Sequence, residues 1–154
     1  MKTTLIAVGR MRDASYKELC AEYAGRIGRF SSFELKEVKE GRGLEGARAA
    51  QAEAPGILKQ LPREVWAVSL DERGRAMTSV ELAAWLEKLR DRGTRELAFV
   101  IGGAWGLDSA IATRCDESLR LSSMTLPHEL ARVLLLEQYY RAWTILRGFP
   151  YHNA

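Results

Sequence analysis

The stretch Leu119 to Ile145, LRLSSMTLPHELARVLLLEQYYRAWTI, decides how the chain is read. It divides into a short strand, a loop over Ser122 to Leu126, and a helix opened by Pro127. Proline suits the first helical turn because its missing N–H would have no intrahelical partner there. Beyond it Leu130, Val133, Leu134, Tyr140, Trp143 and Ile145 recur at spacings of three and four. The run Val133 to Leu136 also places apolar side chains on every face, and a helix apolar all round is buried on more than one side. In a chain of 154 residues, one side is expected to meet a sheet and the other a second subunit.

Upstream, strand and helix patterns alternate. Thr3 to Gly9 is an apolar run without alternation, the mark of a strand covered on both faces of a parallel sheet. Ser15, with Glu18 three residues on, predicts a capped helix to Gly28. Phe33 to Val38 reads as the second strand. Gly41 to Gly46, GRGLEG, reads as a mobile loop able to meet a polyanion. Ala47 to Ala54 reads as a helix broken or capped at Pro55-Gly56. Glu64 to Leu70 is the third strand, closed by a turn at Asp71 to Gly74. Thr78 or Ser79 caps a helix over Val80 to Arg90, ended by Gly93. Glu96 to Ile101 is the fourth strand and runs into Gly102-Gly103-Ala104-Trp105-Gly106. Asp108 caps a short helix to Arg114, and Ser118 to Leu121 is the fifth strand. The pattern predicts one α/β domain over residues 1–154, a mostly parallel sheet with helices on both faces.

A hydrophobic content of 47% in 154 residues is enough for one core. No segment reaches the roughly 18 apolar residues of a membrane span, and the N-terminus lacks a signal-peptide pattern, so a cytoplasmic protein with no membrane partner is expected. Cys20 and Cys115 belong to no ligand pattern and read as reduced thiols; no metal is expected. The net charge of +3 is uneven: residues 1–50 hold ten Lys/Arg against seven Asp/Glu, and the remainder thirteen against thirteen. Lys36, Lys39 and Arg42, with Arg10, Arg12, Arg26, Arg29 and Arg48, are the candidates for a phosphate-contacting face.

Ligands of open α/β sheets bind beyond the carboxyl ends of strands. Three ends stand out: Leu70, the glycines Gly102, Gly103 and Gly106, and the loop Leu121 to Leu126 with Ser122, Ser123, Met124 and Thr125. Paired glycines let a backbone approach something closely, and Leu70, Leu121, Met124 and Leu126 offer apolar walls for a flat ring. The competing reading is a plain strand-to-helix turn. A GxGxxG dinucleotide fingerprint and a P-loop are absent, and Arg132 occupies the place of the second histidine of HExxH. Four polar groups compete for chemistry. Glu137 and Arg141 are an i,i+4 pair in an otherwise apolar helix. His128 follows Pro127 and could orient the loop. Tyr151-His152 forms a terminal tail that either frays or serves as a stacking flap. A Cys115–His128 nucleophile pair lacks a third orienting group.

Three segments, FVIGGAWGL (Phe99 to Leu107), LSSMTLPHELARVLLLEQYYRAW (Leu121 to Trp143) and PYH (Pro150 to His152), make the sequence similar to the ribosomal RNA large subunit methyltransferase H family of the SPOUT superfamily. The resemblance runs the full length and is weakest over Gly41 to Arg63; Ala104-Trp105 departs from it. It implies a C-terminal trefoil knot, an S-adenosyl-L-methionine cofactor held at Leu70, Gly102 and Leu121 to Leu126, a homodimer, and methylation of N3 of a pseudouridine in 23S ribosomal RNA, on the RNA or on the assembled ribosome. For the chemistry, Arg141 is expected to stabilise the developing anion, Glu137 or His152 to take the proton, and Tyr151 to hold the base, with one subunit's tail completing the other's pocket. The alternatives are a non-catalytic RNA- or nucleotide-binding domain of the same fold and a transfer-RNA ribose 2′-O-methyltransferase.

Overall fold

In the computed structural model, which describes residues 1–153, five strands form one all-parallel sheet. The strands are β1 (Lys2–Val8), β2 (Ser32–Val38), β3 (Trp66–Ala76), β4 (Glu96–Ile101) and β5 (Glu117–Arg120), in the order β2-β1-β4-β3-β5. β1 and β4 are paired on both edges and covered on both faces, which is why Leu5 to Val8 and Leu97 to Ile101 are unbroken apolar runs. β2 lies at one edge and carries exposed Glu34 and Glu37, charges that discourage further strand pairing.

Helices α1 (Ala14–Ile27), α3 (Ser79–Asp91) and α5 (His128–Arg147) cover one face around Leu5, Leu86, Phe99 and Trp143. Helices α2 (Gly46–Gln60) and α4 (Ser109–Arg114) cover the other, around Ile6, Val100, Ile57 and Ile111. The α/β architecture with helices on both faces agrees with the alternation in the sequence. α5 lies between α1 and α3, its buried stripe running through Val133, Leu136, Tyr139 and Trp143. Tyr139 meets Phe99 and Trp143 edge-on, and its hydroxyl shares a 2.7 Å hydrogen bond with Thr3 on β1. The opposite stripe, Leu130, Leu134, Glu137, Arg141 and Ile145, is only half-buried in the single chain.

Three local expectations are corrected. The cap of α1 is Asp13, whose carboxylate accepts from Tyr16 N–H at 3.0 Å; Ser15 lies two residues later, already inside the helix. α2 does not stop at Pro55 but runs through it to Gln60, because Glu53, Ala54 and Ile57 are buried on either side of the proline. That packing outweighs the lost backbone hydrogen bond, and Gly56 is needed because a Cβ there would sit 2.6 Å from Val38. β3 continues past Leu70 to Ala76. The segment predicted as its closing turn is an irregularity inside the strand, so that Leu119 of β5 pairs with both Leu70 and Arg75. A Cβ on Gly74 would lie 2.7–2.8 Å from the backbone of Ser118 and Leu119, so only glycine permits this approach.

Candidate active site

The three strand ends converge. Leu70 and Asp71 to Arg73 from β3, Ile101 to Leu107 after β4, and Leu119 to Ser122, Met124 to Leu126, His128 and Ala131 after β5 line one cleft of about 470 Å3. Of the residues assigned to a cofactor, Leu70, Gly102, Gly103, Gly106, Leu121, Ser122, Met124, Thr125 and Leu126 lie on its wall, and Ser123 does not. Ser122 shapes the loop from within: its hydroxyl accepts from Met124 N–H at 2.9 Å.

The glycines have a more specific reason than ligand approach alone. The turn Gly103 to Gly106 closes with a 3.2 Å backbone hydrogen bond, and a Cβ on Gly102 would stand 2.4 Å from the Gly106 carbonyl oxygen. A Cβ on Gly103 would stand 3.2 Å from a carboxylate oxygen of Glu53. The tight-turn reading is therefore correct as far as it goes, and the turn it builds is the cleft's wall. That wall suits a ligand with a flat ring: the volume falls within the roughly 300–1,000 Å3 of ligand pockets, and Leu70, Leu121 and Leu126 offer apolar surface. Arg120 also lines it, and its Nε is buried with no hydrogen-bond partner among the described residues, a donor suited to a ligand carboxylate.

A second group of predicted residues gathers elsewhere. Glu137 Oε1 accepts from Arg141 Nη2 at 2.6 Å, Arg141 Nε at 3.1 Å and the Tyr151 hydroxyl at 3.0 Å. Glu137 Oε2 accepts from Gln138 Nε2 at 2.7 Å, and Gln138 is held in turn by Ser79 Oγ at 2.6 Å. His152 Nδ1 lies 3.3 Å from Arg141 Nη1, and the Arg141 guanidinium stands 4.7 Å from the centre of the Tyr151 ring. Tyr151 also packs edge-on against Tyr140 and pairs with the Tyr23 hydroxyl at 3.4 Å. The tail through His152 is thus folded back on α5, not frayed. Burial, followed by hydrogen bonds to Tyr23 and Glu137, pushes the Tyr151 phenol far above its usual range, so it stays protonated and donates to Glu137. The hydrogen bonds that Arg141 donates to Glu137 push its own guanidinium above its usual range.

In one chain these two groups do not meet. Arg141 lies ten residues beyond Ala131 on the same helix, about 15 Å along its axis. Of the polar candidates only His128 borders the cleft. The Cys115 thiol is pushed up by burial and stays protonated at neutral pH, which removes the nucleophile pair.

Two buried charges escaped sequence reasoning. Arg132 is 0% exposed; its Nη2 donates to the Val8 and Gly9 carbonyls at 2.6 and 2.7 Å, and Nη1 meets Glu37 at 3.2 Å. It ties α5 to the end of β1, while Glu129 accepts from the Arg12 and Asp13 N–H groups ahead of α1. The signal was a guanidinium inside an apolar run. Glu53 is buried in α2 and accepts from Gly41 N–H at 3.0 Å. The basic first third is partly matched: Lys36 pairs with Glu34 at 4.0 Å, and Arg12 and Arg42 share Glu40 at 2.6 and 3.6 Å, whereas Lys39 is exposed. Among the described residues no helix is long and apolar enough to cross a membrane, and no cluster of three His, Cys, Asp or Glu could hold a metal ion.

A parallel sheet with helices on both faces and a glycine-turned cleft at its strand ends defines a ligand-binding α/β domain. The family described as "Predicted SPOUT methyltransferase" matches residues 1–152. The ribosomal RNA large subunit methyltransferase H of Geobacter sp. (strain M21) is 44% identical over 153 residues, covering 99% of both chains. The protein of the same name from Anaeromyxobacter sp. (strain Fw109-5) is 47% identical over 154 residues, covering 99% of this chain and 100% of that one. The chain belongs to the SPOUT methyltransferases, in the ribosomal RNA large subunit methyltransferase H family. Among solved structures, a probable methyltransferase from Bordetella pertussis Tohama I has a TM-score of 0.57 at 15% identity over 92% of this chain and 96% of that one. A probable methylase family protein from Haemophilus influenzae Rd KW20 has 0.55 at 11% identity, covering 99% and 70%. At such identities these two speak for the fold alone.

Proposed function

We propose that this chain, as a cytoplasmic homodimer, methylates N3 of a pseudouridine in 23S ribosomal RNA with S-adenosyl-L-methionine bound in the cleft. The observation that carries this reading is full-length identity of 44 to 47% to proteins named for ribosomal RNA methylation, combined with a cleft built at the three strand ends. The knot implied by the resemblance belongs to the same reading.

Leu70, Gly102, Gly103, Gly106, the loop from Leu121 to Leu126 and Arg120 hold the cofactor, which supplies a methyl group on a sulfonium. Ser123 acts through the loop backbone. His128 positions the loop at its junction with α5. The imide N3–H of the target is neutral at physiological pH, so its proton must leave as nitrogen forms the new bond to carbon. A general base contributes about 10²- to 10⁴-fold. Glu137 is already occupied by four donors, which makes it the positioning group for Arg141; His152 is then the proton acceptor, Arg141 stabilises the developing anion, and Tyr151 fixes Glu137.

The homodimer unites cleft and cluster. A two-fold axis near the middle of α5, on its half-buried stripe at Leu134 and Gln138, pairs the helices antiparallel. Arg141 of one subunit then stands opposite Ala131 of the other, beside that subunit's cleft. Lys36, Lys39 and Arg42 contact RNA phosphates. Mass spectrometry of ribosomal RNA treated with protein and isotopically labelled cofactor is the test: label on N3 of one pseudouridine in 23S RNA is expected. Label on a ribose or on transfer RNA, or none despite saturable cofactor binding, rejects the proposal.

A further inference from the structure

A second cavity, of about 330 Å3, opens across the turn Gly103 to Gly106 from the cleft. Gly103, Ala104, Trp105 and His128 line both, so a group bound in one abuts the other. Three features of the second cavity bear on what it receives.

Glu53 lies deep in it, 6% exposed, and its one hydrogen bond is from Gly41 N–H to Oε1. A buried carboxylate held by a single neutral donor is costly unless another donor reaches it. Trp105 stands at the tip of the turn, 53% exposed, a large apolar face presented to solvent at the junction of the two cavities. Arg12 and Arg42 border the same cavity with side chains 71% and 79% exposed, and both lean on the single carboxylate of Glu40. Each guanidinium carries five N–H donors, so two of them sharing one carboxylate leave donors for an anion.

A deep acceptor, an aromatic face and guanidinium groups at the rim match the three parts of a nucleotide. We propose that this cavity receives a nucleobase beside the methylated one in the RNA: Glu53 accepts a ring N–H, Trp105 stacks on the ring, and Arg12 and Arg42 meet the phosphate. Uracil-type bases and guanine offer such an acceptor a ring N–H on the pairing edge, whereas cytosine and adenine offer only an exocyclic amino group. The inference rests on the reading of the chain as an RNA methyltransferase. It adds a subsite to the single-stranded recognition that aromatic stacking provides.

The test compares binding of heptauridylate and of an abasic heptamer with the same backbone, by fluorescence anisotropy, on the cofactor-loaded protein. The wild type is expected to prefer heptauridylate at least tenfold. Glu53→Gln keeps an oxygen for Gly41 but loses the charge, and Trp105→Ala loses the stacking face; each should bring the preference within twofold of unity, while Trp105→Phe retains most of it. Calorimetry should show Glu53→Gln binding S-adenosyl-L-methionine as the wild type does. Equal binding of the two RNAs by the wild type, an undiminished preference in the variants, or a parallel loss of cofactor affinity in Glu53→Gln overturns the subsite. The ratio is independent of turnover, so failure to methylate ribosomal RNA would sink the proposed function without deciding this one.

Discussion

The two halves of α5 carry opposite chemistry. At its N-terminal end the cleft is walled by the glycine turn and by Leu70, Leu121 and Leu126, with Asp71 to Arg73 and Arg120 along its lining and His128 at the border. At its C-terminal end Glu137, Arg141, Tyr151 and His152 form a hydrogen-bonded network of charged and titratable groups. A wall of that first kind holds a flat ring by shape. The second kind handles a proton and a developing negative charge. Methyl transfer to an imide nitrogen needs both, and one subunit keeps them a helix half apart.

The contrast is broken most severely at the residue that anchors the first half. Arg132 is buried between α5 and the end of β1, satisfying two carbonyls and Glu37. Arg132→Ala should cost about 3–5 kcal/mol, because it strands buried acceptors and opens a cavity. Urea unfolding measures this, and a loss under 1 kcal/mol would show that the anchor is replaceable. Next comes the second half. Arg141→Ala should lower kcat by about 10²- to 10³-fold, the scale for removing one group that stabilises a developing anion, with cofactor affinity unchanged by calorimetry. A matching loss of cofactor affinity would place Arg141 in the cleft instead.

A mixing experiment sharpens the comparison further. Leu121→Glu puts a charge on the apolar wall and should weaken cofactor binding about tenfold or more. Mixed with Arg141→Ala subunits, it should recover about a quarter of wild-type turnover, since half the dimers are hybrid and each has one intact pairing of cleft and cluster. No recovery from subunits that demonstrably exchange would mean that cleft and cluster do not act across a two-fold.

What the sequence disclosed follows the same division. The cleft was legible because backbone-built sites announce themselves through glycine and through where apolar runs stop: Leu70, Ile101 and Leu121 each end such a run. The helices and strands were legible from periodicity. What failed depended on contacts distant in the chain. Pro55 stays helical because its neighbours are buried against β2 and the sheet, a tertiary gain larger than a local penalty. The β3 irregularity rests on Gly74 meeting Leu119, forty-five residues later. Glu53 looks like an ordinary surface charge in a helical segment, and only the fold reveals that its face points inward; Arg132 is marked by the apolar run around it, but its partners on β1 and β2 are not. The tail was undecidable because a terminal tyrosine docks or frays according to partners, here Tyr23, Glu137 and Tyr140, that no spacing rule connects to it.

The smallest expected effect tests that docking. Tyr151→Phe keeps the ring against Tyr140 and the Arg141 guanidinium but removes the donor to Glu137. The loss should be about 0.5–1.5 kcal/mol, the net scale of one hydrogen bond. Its signature lies in pH. The folded-state phenol titrates above the unfolded value of about 10, because burial and its two hydrogen bonds favour the protonated form. Its contribution is therefore complete below pH 10 and declines as pH rises from there toward the folded value, where the unfolded chain releases a proton that the folded chain keeps. The wild type should lose stability more steeply than Tyr151→Phe above pH 10, and the two curves should run parallel between pH 6 and 9. Parallel curves throughout would mean that the hydroxyl faces water and the tail is held by its ring alone. In that event Glu137 has one fewer donor and becomes a competitor to His152 for the proton, so the same measurement that weakens the docked tail also reopens the assignment of the base.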